Sequence, residues 1–349
     1  MESLEPENDP MESCYCAVCG GPTFGVIFSS LDEKGVDRKP SYYDPEVVSP
    51  KDAEWTDEMV VIGHNQGTRR AFISGKGRND NGAILVSPGD DPNFLDPRTN
   101  GLACYTAWSG QSPIFPIHSR CVTLLTRYMA DMEDLPGIDL DILYLAFHRF
   151  APCLPPTLKA DLGQVCGRPG PWFRTYAWWC RRGEEFLVAD PISLSENSVD
   201  LLRQTIRKPE FRVSPRPSRI TNEILGKLPN EIVDTIVSLL NTPEMMNLCE
   251  ASRAVHQALH HNNNPFWKKL IKEELPWFFE LHDLIQDDEL MRDRNWVAVL
   301  KWADEATTPA LGMKAPWASL ANRRRIWDCC KELVLPYYEA FSMFDGPLG

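Results

Sequence analysis

Residues Leu228–Leu270 (LPNEIVDTIVSLLNTPEMMNLCEASRAVHQALHHNNNPFWKKL) carry more apolar surface than so short a stretch can bury by itself. Leu228, Ile232, Ile236 and Leu240 recur every four residues, the spacing of one helix face, and Val233, Val237 and Leu239 widen that stripe. Pro229 suits a first helical turn, where its missing N–H is no loss. Thr242-Pro243-Glu244 reads as an N-cap, a first-position proline and an early acid, so a second helix is expected with Met245, Leu248 and Cys249 on its apolar side. Val255 and Leu259 carry a third. Asn264-Pro265 repeats the cap and launches Phe266, Trp267, Leu270 and Ile271. Three or four short capped helices in roughly 45 residues lie near the lower limit for an independent core. The surplus face is expected to meet another part of this chain or another protein.

Leu228-Pro229-x-Glu231-Ile232, Ile236, Leu239-Leu240, Met245, Leu248, Ser252-Arg253 and Phe266-Trp267-Lys268 together resemble the F-box. Glu244-Met245 stands where that family often has Asp-Leu, and His256 where an aromatic is common. The resemblance implies a three-helix module that docks on the Skp adaptor of SCF-type cullin–RING ubiquitin ligases, helix in groove. It implies Leu228, Pro229, Ile232, Ile236, Leu240, Met245, Leu248 and Trp267 as the adaptor-binding residues. More broadly, Tyr15–Pro22, Phe115–Leu125 and Leu320–Trp327 make the chain resemble fungal F-box proteins with a Cys-rich N-terminal module and a Trp-rich helical tail. The expected role is then a non-enzymatic substrate receptor, bridging an unknown protein target to a Skp-family adaptor and through it to a cullin. The rival reading is a metal-stapled structural scaffold whose helices pack internally.

Upstream of this segment the pattern has a different period. Met59–His64, Arg70–Ser74, Ala83–Ser87 and Gly183–Asp190 read as strands, and Gly75–Gly82 as a polar loop. His118–Met132, Asp139–Phe150 (with Asp139 as N-cap) and Asn197–Arg207 read as helices. The expected fold class is α+β, a mixed N-terminal module followed by an all-α box and a helical C-terminal region. Its divisions are a disordered acidic tail over 1–12, the module over 13–210, a proline-rich linker over 211–219, the F-box over 220–272 and a Trp-rich helical region over 273–349. Within the last, Trp277, Trp296, Trp302, Trp317 and Trp327 are expected on short helices broken at Pro276, Pro309, Pro316 and Pro336.

Eleven cysteines without a secretory signal imply a reducing compartment, cytoplasmic or nuclear, with free thiols or metal ligands. Cys16-x-x-Cys19 followed by Gly20-Gly21 has the form of a zinc knuckle: two thiolates grip one ion and the glycines permit the tight turn behind them. His118-x-x-Cys121 opens an expected helix, where such a pair shares a face. Cys16, Cys19, His118 and Cys121 could together hold one structural zinc ion, with Cys14 as a substitute ligand. In the competing reading His118 donates to a backbone carbonyl and the cysteines are buried and inert.

Other chemistries find little footing. The formal charge is 36 − 49 = −13, against sequence-independent nucleic-acid binding, and no apolar run approaches a membrane span. A thiol redox role for the knuckle lacks a βαβ context. Gly75–Gly82 lacks the Gly-Lys-Ser/Thr ending of a phosphate cradle. His256, His260 and His261 read as a solvated helix end, Asp90-Asp91 as a turn, and Arg323-Arg324-Arg325 as the wet face of a helix.

Overall fold

A computed structural model describes residues 15–23, 26, 28, 43–80, 83–100, 102, 104–105, 112–131, 137–151, 158, 160, 182–212, 224–252, 254–256, 259 and 264–344. The expected acidic tail and most of the expected linker lie outside them. Along the chain run β1 (Met59–Asn65), β2 (Arg70–Ile73), β3 (Gly77–Asp80), β4 (Ala83–Val86), α1 (Pro97–Asn100), β5 (Phe115–His118), α2 (Ser119–Ala130) and α3 (Leu140–Phe150). They are followed by α4 (Glu196–Arg207), α5 (Asn230–Ser238), α6 (Thr242–Ala251), α7 (Asn264–Glu274) and α8 (Phe279–Leu284). Next come α9 (Asp288–Met291), α10 (Trp296–Thr307) and α11 (Trp317–Phe344). The fold is mixed α+β: a small antiparallel sheet near the N-terminus, and helices after it. Among the described residues no helix is long and apolar enough to cross a membrane.

The chain forms two compact units, one of Met1–Ser193 with Pro309–Gly349 and one of Leu194–Thr308. These divisions differ from those expected. Residues 194–210 group with the segment expected to be an F-box rather than with the N-terminal module, and the Trp-rich tail divides at 308, its last part returning to the first unit.

In the first unit β1 is the hub. It pairs antiparallel with β2, with β5 and, at Met59–Gly77, with β3, which in turn pairs with β4. Met59, Val61 and Ile62 are all buried, so this strand is covered on both faces. Phe115 of β5 stacks on Phe147 of α3, with ring centroids 5.3 Å apart. The Asp139 carboxylate caps α3 as expected, accepting from the amides of Asp141 and Ile142. β3 arises in the expected polar loop, because its backbone pairing with β4 outweighs a side-chain pattern with no apolar alternation. The expected strand at Gly183–Asp190 is instead a short 3-10 helix at Glu185–Val188, fully buried.

α11 runs unbroken through Pro336. An internal proline forfeits one helical hydrogen bond and strains the turn before it. Here tertiary packing compensates: Leu333, Tyr337 and Ala340 are buried, Trp327 meets Tyr128 of α2 edge-on at 5.0 Å, and the Tyr337 hydroxyl accepts from the Asp139 amide at 2.8 Å. The arginine run does not form a wet face either. Arg323 and Arg325 are buried, with Arg323 donating to the carbonyls of Pro191 and Ile192.

The second unit is all-helical. α5 buries Val233 and Val237, and α6 buries Met245 and Cys249. Asn241, not Thr242, caps α6, in a reciprocal capping box with Glu244. The Trp267 indole donates to the Leu259 carbonyl at 3.0 Å. Phe211, in the expected linker, is buried against Trp302 of α10, and its carbonyl accepts from the Asn295 amide at 2.8 Å.

Candidate metal centre and docking face

The chain around Cys16–Cys19 folds back on itself. The Gly20 amide donates to the Cys16 carbonyl at 2.8 Å, and the Cys16 amide to the Gly21 carbonyl at 3.0 Å. Gly20 has φ of 65°, which disfavours a side chain, and a Cβ on Gly21 would lie 3.0 Å from the Cys19 sulfur. Both glycines therefore have a steric reason to be there. The Ala17 amide bonds Pro116 of β5 at 2.8 Å, which brings the turn to the sheet edge. Just before it, Tyr15 is held by Tyr105 through stacked rings 4.6 Å apart and a pair of backbone–hydroxyl hydrogen bonds.

His118 is the last residue of β5 rather than a helical residue, and Cys121 lies in the first turn of α2. The strand-to-helix junction thus does what a shared helix face was expected to do. His118 Nε2 lies 2.8 Å from the Pro22 carbonyl. A carbonyl only accepts, so that nitrogen carries the proton and Nδ1 is left as a donor atom for a ligand. Nδ1 faces the sulfurs of Cys19 at 3.5 Å and Cys121 at 3.9 Å. The ligand atoms of Cys16, Cys19, His118 and Cys121 all lie within 4.8 Å of one another, and all four residues are buried. The two sequence readings therefore merge: His118 does donate to a carbonyl, and its other nitrogen completes a four-atom cluster able to hold a metal ion.

The surroundings are those of ligands already oriented. The Gly21 amide points at Cys19 Sγ (3.3 Å) and the His118 amide at Cys16 Sγ (3.4 Å). The Trp55 ring stands edge-on to the imidazole at 4.8 Å, with its indole N–H fixed on the Val188 carbonyl.

Burial opposes a thiolate at Cys19, but hydrogen bonds from Cys121 and Cys16 and the charge of His118 hold that thiol well below its ordinary range. Burial likewise opposes a charged His118, yet the negative charge of Cys16 and Cys19 raises it well above the usual imidazole value. Burial first, then the neighbouring sulfurs, keeps Cys121 protonated. Three sulfurs this close cannot all ionise without a cation among them, and a dication would let them do so.

Arg325 of α11 was missed by sequence reasoning. Its Nη1 donates to the Cys19 carbonyl at 2.7 Å, and Nε and Nη2 both reach Asn322 Oδ1. Asn322 in turn donates to the Ala189 carbonyl at 2.8 Å. Burial opposes the charged guanidinium, but the negative charge of Cys19 holds its pKa above the ordinary arginine value. Cys329 is pushed up to about 12 by burial, which marks it as an inert thiol.

The expected adaptor-binding residues divide into two groups. Ile232 is 46% exposed, Pro229 is exposed, and Leu228, Ile236, Leu240 and Leu248 are partly exposed. Leu239, 80% exposed, and Ile224 add to this apolar surface. Met245 and Trp267 are instead buried in the second unit's own core, where a partner cannot reach them. Comparison with known protein families, with curated proteins and with solved structures gives no match to this chain.

Proposed function

We propose that this chain is a non-enzymatic adaptor in which a zinc-stapled α+β unit accompanies an F-box-type helical unit that docks on a Skp-family adaptor, and through it on a cullin. The observation carrying the reading is the apolar row on α5 and the turns that flank it. Leu228, Pro229, Ile232, Ile236, Leu239 and Leu240 remain at the surface while Val233 and Val237 supply the internal packing. A soluble domain that leaves such a row uncovered is matched to a partner's groove. In this reading Met245 and Trp267 shape the module from within, and Leu248 joins the docking row. The target recruited for ubiquitin transfer is an unknown protein, and the ligase chemistry belongs to other subunits.

Zinc is the metal that best suits the cluster. Three sulfurs and one imidazole nitrogen form a borderline-soft donor set, and a tetrahedral zinc site with ordinary bond lengths has ligand–ligand edges of roughly 3.5–3.8 Å. The 3.5 and 3.9 Å contacts from His118 Nδ1 fit that scale. Four protein ligands leave no open position, so the ion's part is structural rather than catalytic.

Co-expression with a Skp-family adaptor tests the docking reading. The intact chain is expected to co-purify with it, and a Pro229→Ala, Ile232→Asp variant that keeps its helical circular dichroism is expected not to. A folded variant that still co-purifies refutes the assigned face. An intact chain that fails to co-purify while retaining zinc favours the second reading, a metal-stapled scaffold, which rests on the Cys/His cluster alone.

A further inference from the structure

Arg325 is 3% exposed, its guanidinium donates to the Cys19 carbonyl and to Asn322 Oδ1, and the Cys19 sulfur is the first negative charge that acts on it. Among the described residues no carboxylate lies within ion-pair distance of it. Arginine does not shed its proton inside proteins, so this charge is present in the folded chain and must be balanced by something. A dication held by three thiolates and a neutral imidazole carries 2 − 3 = −1. We propose that Arg325 is the counter-ion of the metal centre, so that the loaded site and the guanidinium together are neutral. This inference rests on the zinc reading above.

The placement fits that role. Arg325 comes from α11, which the chain reaches only after the whole second unit, and it grips the backbone of Cys19 from behind the knuckle. Asn322 fixes the guanidinium by accepting from two of its nitrogens while anchored on Ala189. The metal and the last helix thereby favour each other: an ion entering the cluster supplies the anionic centre that Arg325 needs, and a docked α11 supplies the positive charge that the anionic centre needs. Arg325 is a positioning residue, acting on the ion through the charge and backbone of its ligands.

The test uses the full chain, with zinc affinity measured by competition against a chromophoric chelator. Loss of a group supporting a metal ligand typically costs 10–100-fold in affinity. Arg325→Met is expected to show a loss of that size, while Arg325→Lys, which keeps the charge without the fork, recovers most of it. Arg324→Met serves as the neighbouring control and is expected to bind as the intact chain does. With cobalt in place of zinc, Arg325→Met is expected to keep tetrahedral d–d bands while its sulfur-to-cobalt charge-transfer band moves to longer wavelength, because a positive charge near the sulfurs has gone. A merely structural role would leave that band in place.

Equal affinity for Arg325→Met and the intact chain overturns the proposal. So do equal losses in the Met and Lys variants, which would place the effect in packing. Should Arg325→Met not fold, the Lys variant decides: affinity within a few-fold of the intact chain supports the counter-ion, and a loss as deep as that of Cys19→Ser overturns it. An intact chain that binds no zinc fells the metal reading itself, and this inference with it.

Discussion

Replacing Cys19 with serine takes away a thiol that its neighbours hold well below its ordinary range, and on the zinc reading the ion is expected to go with it. Structural zinc sites contribute on the order of 10 kcal/mol in small peptides at neutral pH. Even a third of that would lower the melting temperature of a domain this size by roughly 10 °C. Cys19→Ser is therefore expected to lose zinc by inductively coupled plasma mass spectrometry and to melt earlier by about that amount, whereas exchanging the inert Cys329 for alanine leaves the zinc in place. Acidification works in the same direction. With Cys121 held as the thiol and His118 as the imidazolium in the metal-free site, entry of the ion displaces at least two protons. Zinc affinity is then expected to fall about a hundredfold from pH 7 to pH 6, measured by chelator competition. A flat profile over that range would contradict this ligand set. The cysteines and the histidine were legible because their spacing is local and their chemistry specific. Arg325 was not: three consecutive arginines read as solvated until a tertiary neighbour is known, and here that neighbour is a carbonyl more than three hundred positions earlier in the chain.

Among the secondary-structure elements, α5 separates an exposed apolar row from a buried one by one residue of phase. Ile232 faces outward and Val233 inward, so adjacent substitutions are expected to have opposite signatures. Ile232→Asp should shift stability by no more than about 0.5 kcal/mol, as surface changes usually do, yet abolish adaptor co-purification. Val233→Ala should lose about 1–2 kcal/mol of stability in urea denaturation through lost burial while leaving the adaptor contact largely intact. If both variants behave alike, α5 is not a docking face. Periodicity carried these helices well, because their apolar spacing and proline-marked starts agree. The short apolar runs bounded by turn residues carried β1, β2 and β4. Local pattern failed at β3, whose Gly-Arg-Asn-Asp sequence has no apolar alternation and is a strand only because β4 offers a backbone ladder. It failed again at Glu185–Val188, where two acids followed by Phe186-Leu187-Val188 look like a strand but close into a 3-10 turn. The Asn241–Glu244 box offers a local check. Asn241→Ala should cost about 1 kcal/mol of unfolding free energy in the second unit, since it orphans an amide in the first turn of α6.

The path of the whole chain could not be read from local pattern at all. Nothing in residues 309–349 taken alone says that they complete a unit begun near the N-terminus, because the contacts that do so join residues 133 to 306 positions apart. Yet those contacts are what hold the first unit closed. Arg325 meets Cys19, Asn322 meets Ala189, Tyr337 meets Asp139 and Trp327 meets Tyr128. α11 also buries Leu320, Ile326, Trp327 and Leu333. At about 1.5–3 kcal/mol for each buried side chain, these four alone match the 5–15 kcal/mol that separates a typical folded domain from its unfolded chain. A chain ending at Thr308 should consequently lose the first unit as a folded body. It should fail to retain zinc, although all four proposed ligands remain, and should lose the first unit's own thermal transition. The second unit, whose residues all lie between 194 and 308, should keep its helical circular dichroism and its own transition. A truncated chain that still holds zinc with near-native affinity would mean that the sheet and knuckle fold without α11, and that the last helix packs on a finished unit instead of completing it.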